Sequence, residues 1–165
     1  MERSLTNPRW WQRLRHRRGF GVHSPFAFRF ITEVLNPPRG YRYYAEECCS
    51  DRTGRILARL TGFFAPSGVA YCGCGADALS APGAPRVPVG SADMIVIDLR
   101  DGCPDDVLRR VSRGGVVVFA LHHSGGRIRS LLAAMPYGMS FRNASTRAVL
   151  VVRRKLPRQD FWVGW

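Results

Sequence analysis

The chain has 165 residues, 45% of them hydrophobic and 22% charged, which suits one domain with a real core and excludes a disordered tail or two full domains. The net charge of +13 rests on 24 arginines and one lysine, Lys155. It is spread unevenly: residues 1–60 hold 12 Arg against 5 acids, residues 61–110 hold 4 against 6, and residues 111–165 hold 9 basic groups against 1 acid.

A neutral-to-acidic middle between two basic flanks attracts polyanions, so nucleic acid is one expected partner class, held through phosphate charge without base specificity. The longest apolar run, residues 114–121, is too short for a transmembrane segment. No signal-type apolar core precedes Arg9, and the expected location is cytoplasmic. Cysteines at 48, 49, 72, 74 and 103 are odd in number and irregular, which argues against a disulfide framework. Cys72 and Cys74 lack two further soft ligands nearby in sequence, so no metal site is expected.

Residues 1–50 read as a basic, helical N-terminal extension packing on the core, and residues 51–165 as a compact α/β domain. In the extension, Asn7-Pro8 opens a short helix with Trp10, Trp11 and Leu14 on one face and Arg9, Arg13 and Arg17 on the other. Ser24-Pro25 opens a second helix, apolar nearly all round through Leu35 and stopped at Asn36-Pro37-Pro38. Tyr41, Tyr43 and Tyr44 interleave with Arg39 and Arg42, a composition that can stack on bases but equally packs as a loop.

Residues 51–64 form an amphipathic helix with Ile56, Leu57, Leu60, Phe63 and Phe64 inward and Arg52, Arg55 and Arg59 on the solvent side. Residues 69–72 make a first buried strand. Residues 73–92, rich in Gly, Ala and Pro, form no periodic element beyond one or two helical turns. A second strand follows at 94–98, a helix at 104–111 with acids first and arginines last, a third strand at 115–120 and a helix at 126–135. Strands at 139–142 and 148–152 are expected to be antiparallel across the link 143–147, with a last strand at 161–163. Continuous apolar strands alternating with helices specify a reduced Rossmann-like three-layer α/β fold. Its sheet has five or six mostly parallel strands with an antiparallel strand near the C-terminus.

Ligands in such a sheet collect beyond the C-terminal strand ends, where Gly73-Cys74-Gly75, Asp98 to Asp101 and Leu121 to Ser124 arrive. Gly73 and Gly75 could admit a ligand close to the backbone, but the third glycine and long helix of a dinucleotide fingerprint are missing. Asp98 ends a buried strand and is a candidate for a ribose hydroxyl, a metal or a substrate amine, or equally for a strand-end cap. Asp98 with Asp101 would suit Mg²⁺, but no third oxygen ligand is evident. His122 and His123 stand where a general base is useful, with no orienting partner visible in sequence.

The run Arg18-Gly19-Phe20-Gly21-Val22-His23-Ser24-Pro25-Phe26-Ala27-Phe28 resembles the Gly-x-Gly-(Val/Ile)-His-Ser-Pro-Phe-x-(Phe/Tyr) opening of class I S-adenosylmethionine-dependent methyltransferase-like proteins of Bacteroidetes type. Asp93-Met94-Ile95-Val96-Ile97-Asp98 is similar to that family's Asp-x-Ile-Phe-Ile-Asp strand, residues 114–120 to its next strand, and Gln159-Asp160-Phe161 to its ending. The resemblance implies S-adenosylmethionine as cofactor, with Gly73, Gly75 and Asp98 around it and Asp98, His122 and His123 near a methyl-accepting substrate. The chain is nonetheless shorter than the family pattern. Only 22 residues separate Cys72 from Ile95, too few for two strand–helix units, so the ribose-holding acid has no counterpart. Tyr71 stands where the family has an acid before the turn, and Ala120-Leu121-His122-His123-Ser124 replaces its Asp-Asp-Ile-x-Trp.

The expectation is therefore a degenerate methyltransferase-like domain without strong cofactor binding, acting as a subunit or interaction protein with a protein partner or a second copy. The alternatives are a methyltransferase with an abbreviated cofactor site and a basic nucleic-acid-binding protein.

Overall fold

The structure, a computed structural model, describes residues 23–38, 51–123, 126–143 and 146–165. The expected helix over Asn7 to Arg18, the Arg/Tyr stretch and Cys48-Cys49 lie outside the described residues.

Six strands form one sheet in the order β1-β2-β3-β5-β4-β6: β1 (Val69–Cys72), β2 (Met94–Asp98), β3 (Val116–Leu121), β4 (Met139–Arg142), β5 (Arg147–Val152) and β6 (Gln159–Trp162). β1, β2 and β3 run parallel, and β5 is inserted antiparallel between β3 and β4. β6 pairs in parallel with β4, Met139 opposite Gln159. The architecture is thus the expected mixed, largely parallel α/β sheet. The last strand starts two residues earlier than its apolar residues suggest. Gln159 and Asp160 are exposed at the sheet edge, so hydropathy does not mark them. Asp160 instead accepts a hydrogen bond from the Ser140 hydroxyl of β4.

β2 and β3 are buried along their whole length because both faces are covered. Alternate residues feed two separate cores. Val96, Val117 and Phe119 face one layer, in which α1 (Pro25–Arg29) runs into a π-helical turn (Phe30–Leu35) and packs with α2 (Arg52–Phe64). Ile95, Ile97 and Val118 face the other, with α4 (Asp105–Arg113) and α5 (Arg129–Ala134). The single turn α3 (Cys74–Asp77) follows β1 and buries Ala76 in the first of these cores.

Local chemistry accounts for the element ends. The Ser24 hydroxyl caps α1 by accepting from Ala27 N, and Phe30 anchors the helix with its ring 4.6 Å from that of Phe141 in β4. Asp51 caps α2 through both carboxylate oxygens, accepting from Thr53 N and Gly54 N at 3.0 Å. Replacing Asp51 with alanine orphans both amides and is expected to cost about 1 kcal/mol, a fall in Tm of about 2–4 °C by calorimetry. Arg59, expected on the solvent side, instead reaches across to donate to Val34 O at 3.2 Å, tying α2 to the π-helical turn. α5 begins three residues later than its pattern suggests because Arg129 N bonds Gly126 O in a tighter turn.

The 73–92 crossing is irregular, as its prolines require, but it is pinned. Tyr71 accepts from Ala81 N through its hydroxyl at 2.7 Å, and the Arg86 guanidinium lies 4.3 Å above the Tyr71 ring. Val69 N donates to Pro85 O, and Val87 N donates to Val69 O. One parallel bridge, Val69 to Arg86, therefore occupies the outer edge of β1, where a further strand would extend the sheet.

Candidate functional site

The C-terminal ends of β1, β2 and β3 and the start of antiparallel β5 meet at one edge of the sheet, with Leu121 opposite Arg147. Asp98 is the last residue of β2 and its side chain is wholly excluded from solvent. A buried carboxylate must be paired to stay charged. Arg100 turns back two residues after it to do this: Nη2 donates to Oδ2 at 2.6 Å, Nε donates to Oδ2 at 3.0 Å, and the backbone N donates to Oδ1 at 3.0 Å. On the other side His122 Nδ1 lies 2.9 Å from Oδ1. Burial alone would raise the carboxyl's pKa. The Arg100 bonds, followed by the His122 contact, overcome it and hold Asp98 down to about 2.

An ionised carboxylate only accepts, so His122 Nδ1 donates in this pair. His122 has φ +55, a left-handed backbone that few non-glycine residues adopt and that clusters at functional sites. Its neighbour goes elsewhere. His123 is buried and Nε2 donates to Asn143 O at 2.9 Å, while its backbone N donates to Thr146 O. The structure thus brings Asp98 and His122 together and sends His123 into a loop clasp on the opposite side.

Gly73 and Gly75 lie against the same cluster, and both approaches are internal. A Cβ on Gly75 would overlap Asp98 Oδ2 and come within 2.7 Å of Arg100 Nη2. Gly73 has φ +90, and a Cβ there would stand 2.9 Å from Asp101 Oδ2. Asp101 itself accepts from Cys74 N at 2.8 Å, while Ala76 N and Asp77 N are satisfied by Gly73 O. Three amides of this turn, those of Cys74, Ala76 and Asp77, which in a phosphate-binding loop would face a ligand, thus bond the chain's own acceptors.

A small cavity of about 200 Å³ opens beside the cluster, lined by Asp51, Thr53, Arg100, His122 and Arg147 among others. Arg147 is set there by Thr53 Oγ1, which accepts from its Nε and Nη2 at 3.1 and 2.8 Å, and burial lowers its pKa. Sequence reasoning missed both arginines. Arg100 carried a usable signal, since an Asp followed by a residue whose N–H returns to it is a common local turn. Arg147 carried none, being one of 24 arginines.

Among the described residues no group of three His, Cys, Asp or Glu side chains could hold a metal. Burial raises the thiol pKa values of Cys72 and Cys103, that of Cys103 to about 11, so neither is a ready thiolate at neutral pH. No described helix is long and apolar enough to cross a membrane. The fold and this edge define an α/β domain with a carboxylate-centred strand-end site. No family model, curated protein or solved structure matches the chain.

Proposed function

We propose that the chain is a reduced methyltransferase-like α/β domain that does not hold S-adenosylmethionine with useful affinity and works as a cytoplasmic subunit or interaction protein. The observation that carries this reading is the state of Asp98. Its carboxylate is wholly buried and its oxygens are taken by Arg100 and His122, so it is not open to a ribose.

Three further features support the reading. The Gly73–Gly75 turn is filled by the chain's own acids, the edge of β1 carries one bridge in place of a further strand, and the adjoining cavity is about 200 Å³. Sites for drug-sized ligands run from roughly 300 to 1,000 Å³. To admit an adenosine, the Asp98–Arg100 pair would have to open, leaving a buried charge without its partner. These residues therefore do not fit the cofactor.

Calorimetric titration with S-adenosylmethionine and its demethylated product is the test. No saturable heat is expected; a dissociation constant below about 50 μM, about −6 kcal/mol of binding, would restore the enzyme reading.

A further inference from the structure

We propose that the cavity between Arg100, His122 and Arg147 is a binding site for a small phosphate: inorganic phosphate or the head of a compact phosphomonoester. The inference goes beyond the reading above and stands independently of it, since it concerns a ligand much smaller than an adenosine.

The walls come from five places in the fold: the α3 turn and the residues after it, the turn after β2, the end of β3, the start of β5 and the first turn of α2. The two arginines and His122 are each held by a second group. Arg100 is fixed by buried Asp98, which takes its Nε and Nη2; Arg147 is fixed by Thr53, which takes its Nε and Nη2. In both guanidiniums Nη1 has no hydrogen-bond partner among the described residues. His122 is fixed through Nδ1, and its Nε2 likewise has none.

The cavity thus gathers two oriented guanidinium donors and one imidazole nitrogen, carried by a residue with φ +55. Guanidiniums match phosphate oxygens, and the ring nitrogen can hydrogen-bond a phosphate oxygen or its P–OH. The volume of about 200 Å³ admits a phosphate with a few further heavy atoms.

The charge balance is consistent with an anion. Asp98 is neutralised by Arg100, and Asp51 has both oxygens taken by amides at the positive end of α2. At Arg147 Arg52 adds positive potential and Asp51 negative potential. A basic surface would also attract phosphate diffusely, and the test has to separate the two.

The probe is inorganic phosphate titrated against chloride at matched ionic strength, read by the imidazole proton resonances of His122 and by calorimetry. Glycerol phosphate is run in parallel, and whichever binds tighter identifies the ester or the free ion as ligand. Saturable phosphate binding that shifts the His122 resonances is expected. Arg147→Gln should weaken it at least about tenfold, whereas Arg109→Gln, an exposed arginine on α4, should leave it unchanged. Equal effects of the two substitutions, or binding without any response at His122, would overturn the proposal. A thermal melt of Arg147→Gln separates a lost ligand contact from a lost fold, and His122→Gln provides a second variant with the same expected loss of affinity.

Discussion

Asp98→Asn is expected to lower the stability of the protein by about 2 kcal/mol at pH 7, and the difference should disappear as the pH falls towards 2. The carboxyl is held at about 2 against an ordinary value of 3.8, and a shift of one unit is worth about 1.4 kcal/mol. The sign follows from linkage. A group whose folded-state pKa is depressed adds its full stability above the unfolded value, near pH 4, and loses it as the pH falls through the folded value. The wild type should therefore lose stability between about pH 4 and pH 2, while Asp98→Asn shows a flatter profile over the same window. Urea denaturation at pH 7, 4 and 2.5 measures this. Parallel profiles for the two proteins would mean that the Arg100 and His122 contacts do not bias the ionisation of Asp98.

The same substitution informs the function. If Asp98 served chiefly to hold a ligand, its removal would lower affinity and spare or raise the stability of the free protein, because ligand-holding carboxylates are commonly left unpaired until the ligand arrives. A carboxylate that already accepts from a guanidinium, a backbone amide and an imidazole is placed to hold the strand ends of β2 and β3 together. Asp98 therefore orients Arg100 and His122, and through them it shapes the adjoining cavity.

Much of the sheet was legible in the residues, and the reason is burial. Met94 to Asp98 and Val116 to Leu121 are covered on both faces, so every position had to be apolar, save the acid that ends the first of them. The antiparallel relation of β4 and β5 was legible because their link is too short for a crossover. β6 was placed late because its first two residues face solvent and carry no hydropathy signal.

At the site, Asp98 was legible as an acid closing a buried strand, but its partners were not. His122 and His123 are adjacent and chemically alike, and only the backbone turn at His122 decides which of them meets Asp98. Gly73 and Gly75 looked like room for a ligand. The space they leave is filled by Asp98, Arg100 and Asp101, three residues about 25 positions away whose approach no local pattern encodes.

That packing leads to the second strong expectation: Gly75→Ala should destabilise the protein by about 1–3 kcal/mol, the usual cost of inserting a methyl into a filled space. The added Cβ would overlap Asp98 Oδ2 and lie 3.1 Å from Asp98 Cγ, and the carboxylate cannot retreat because it is enclosed. Gly90→Ala is the matched control, since a Cβ there meets nothing within 4 Å, and its effect should stay within about 0.5 kcal/mol. The decisive measurement is the double-mutant cycle of Gly75→Ala with Asp98→Ala. Shortening Asp98 removes the atoms that the new methyl strikes, so the two costs should fall short of their sum by about 0.5–3 kcal/mol. Additive costs would place the clash elsewhere and leave the Gly73–Gly75 turn free to serve a ligand; a clear shortfall would mean that this turn is glycine-rich to seat the chain's own carboxylate.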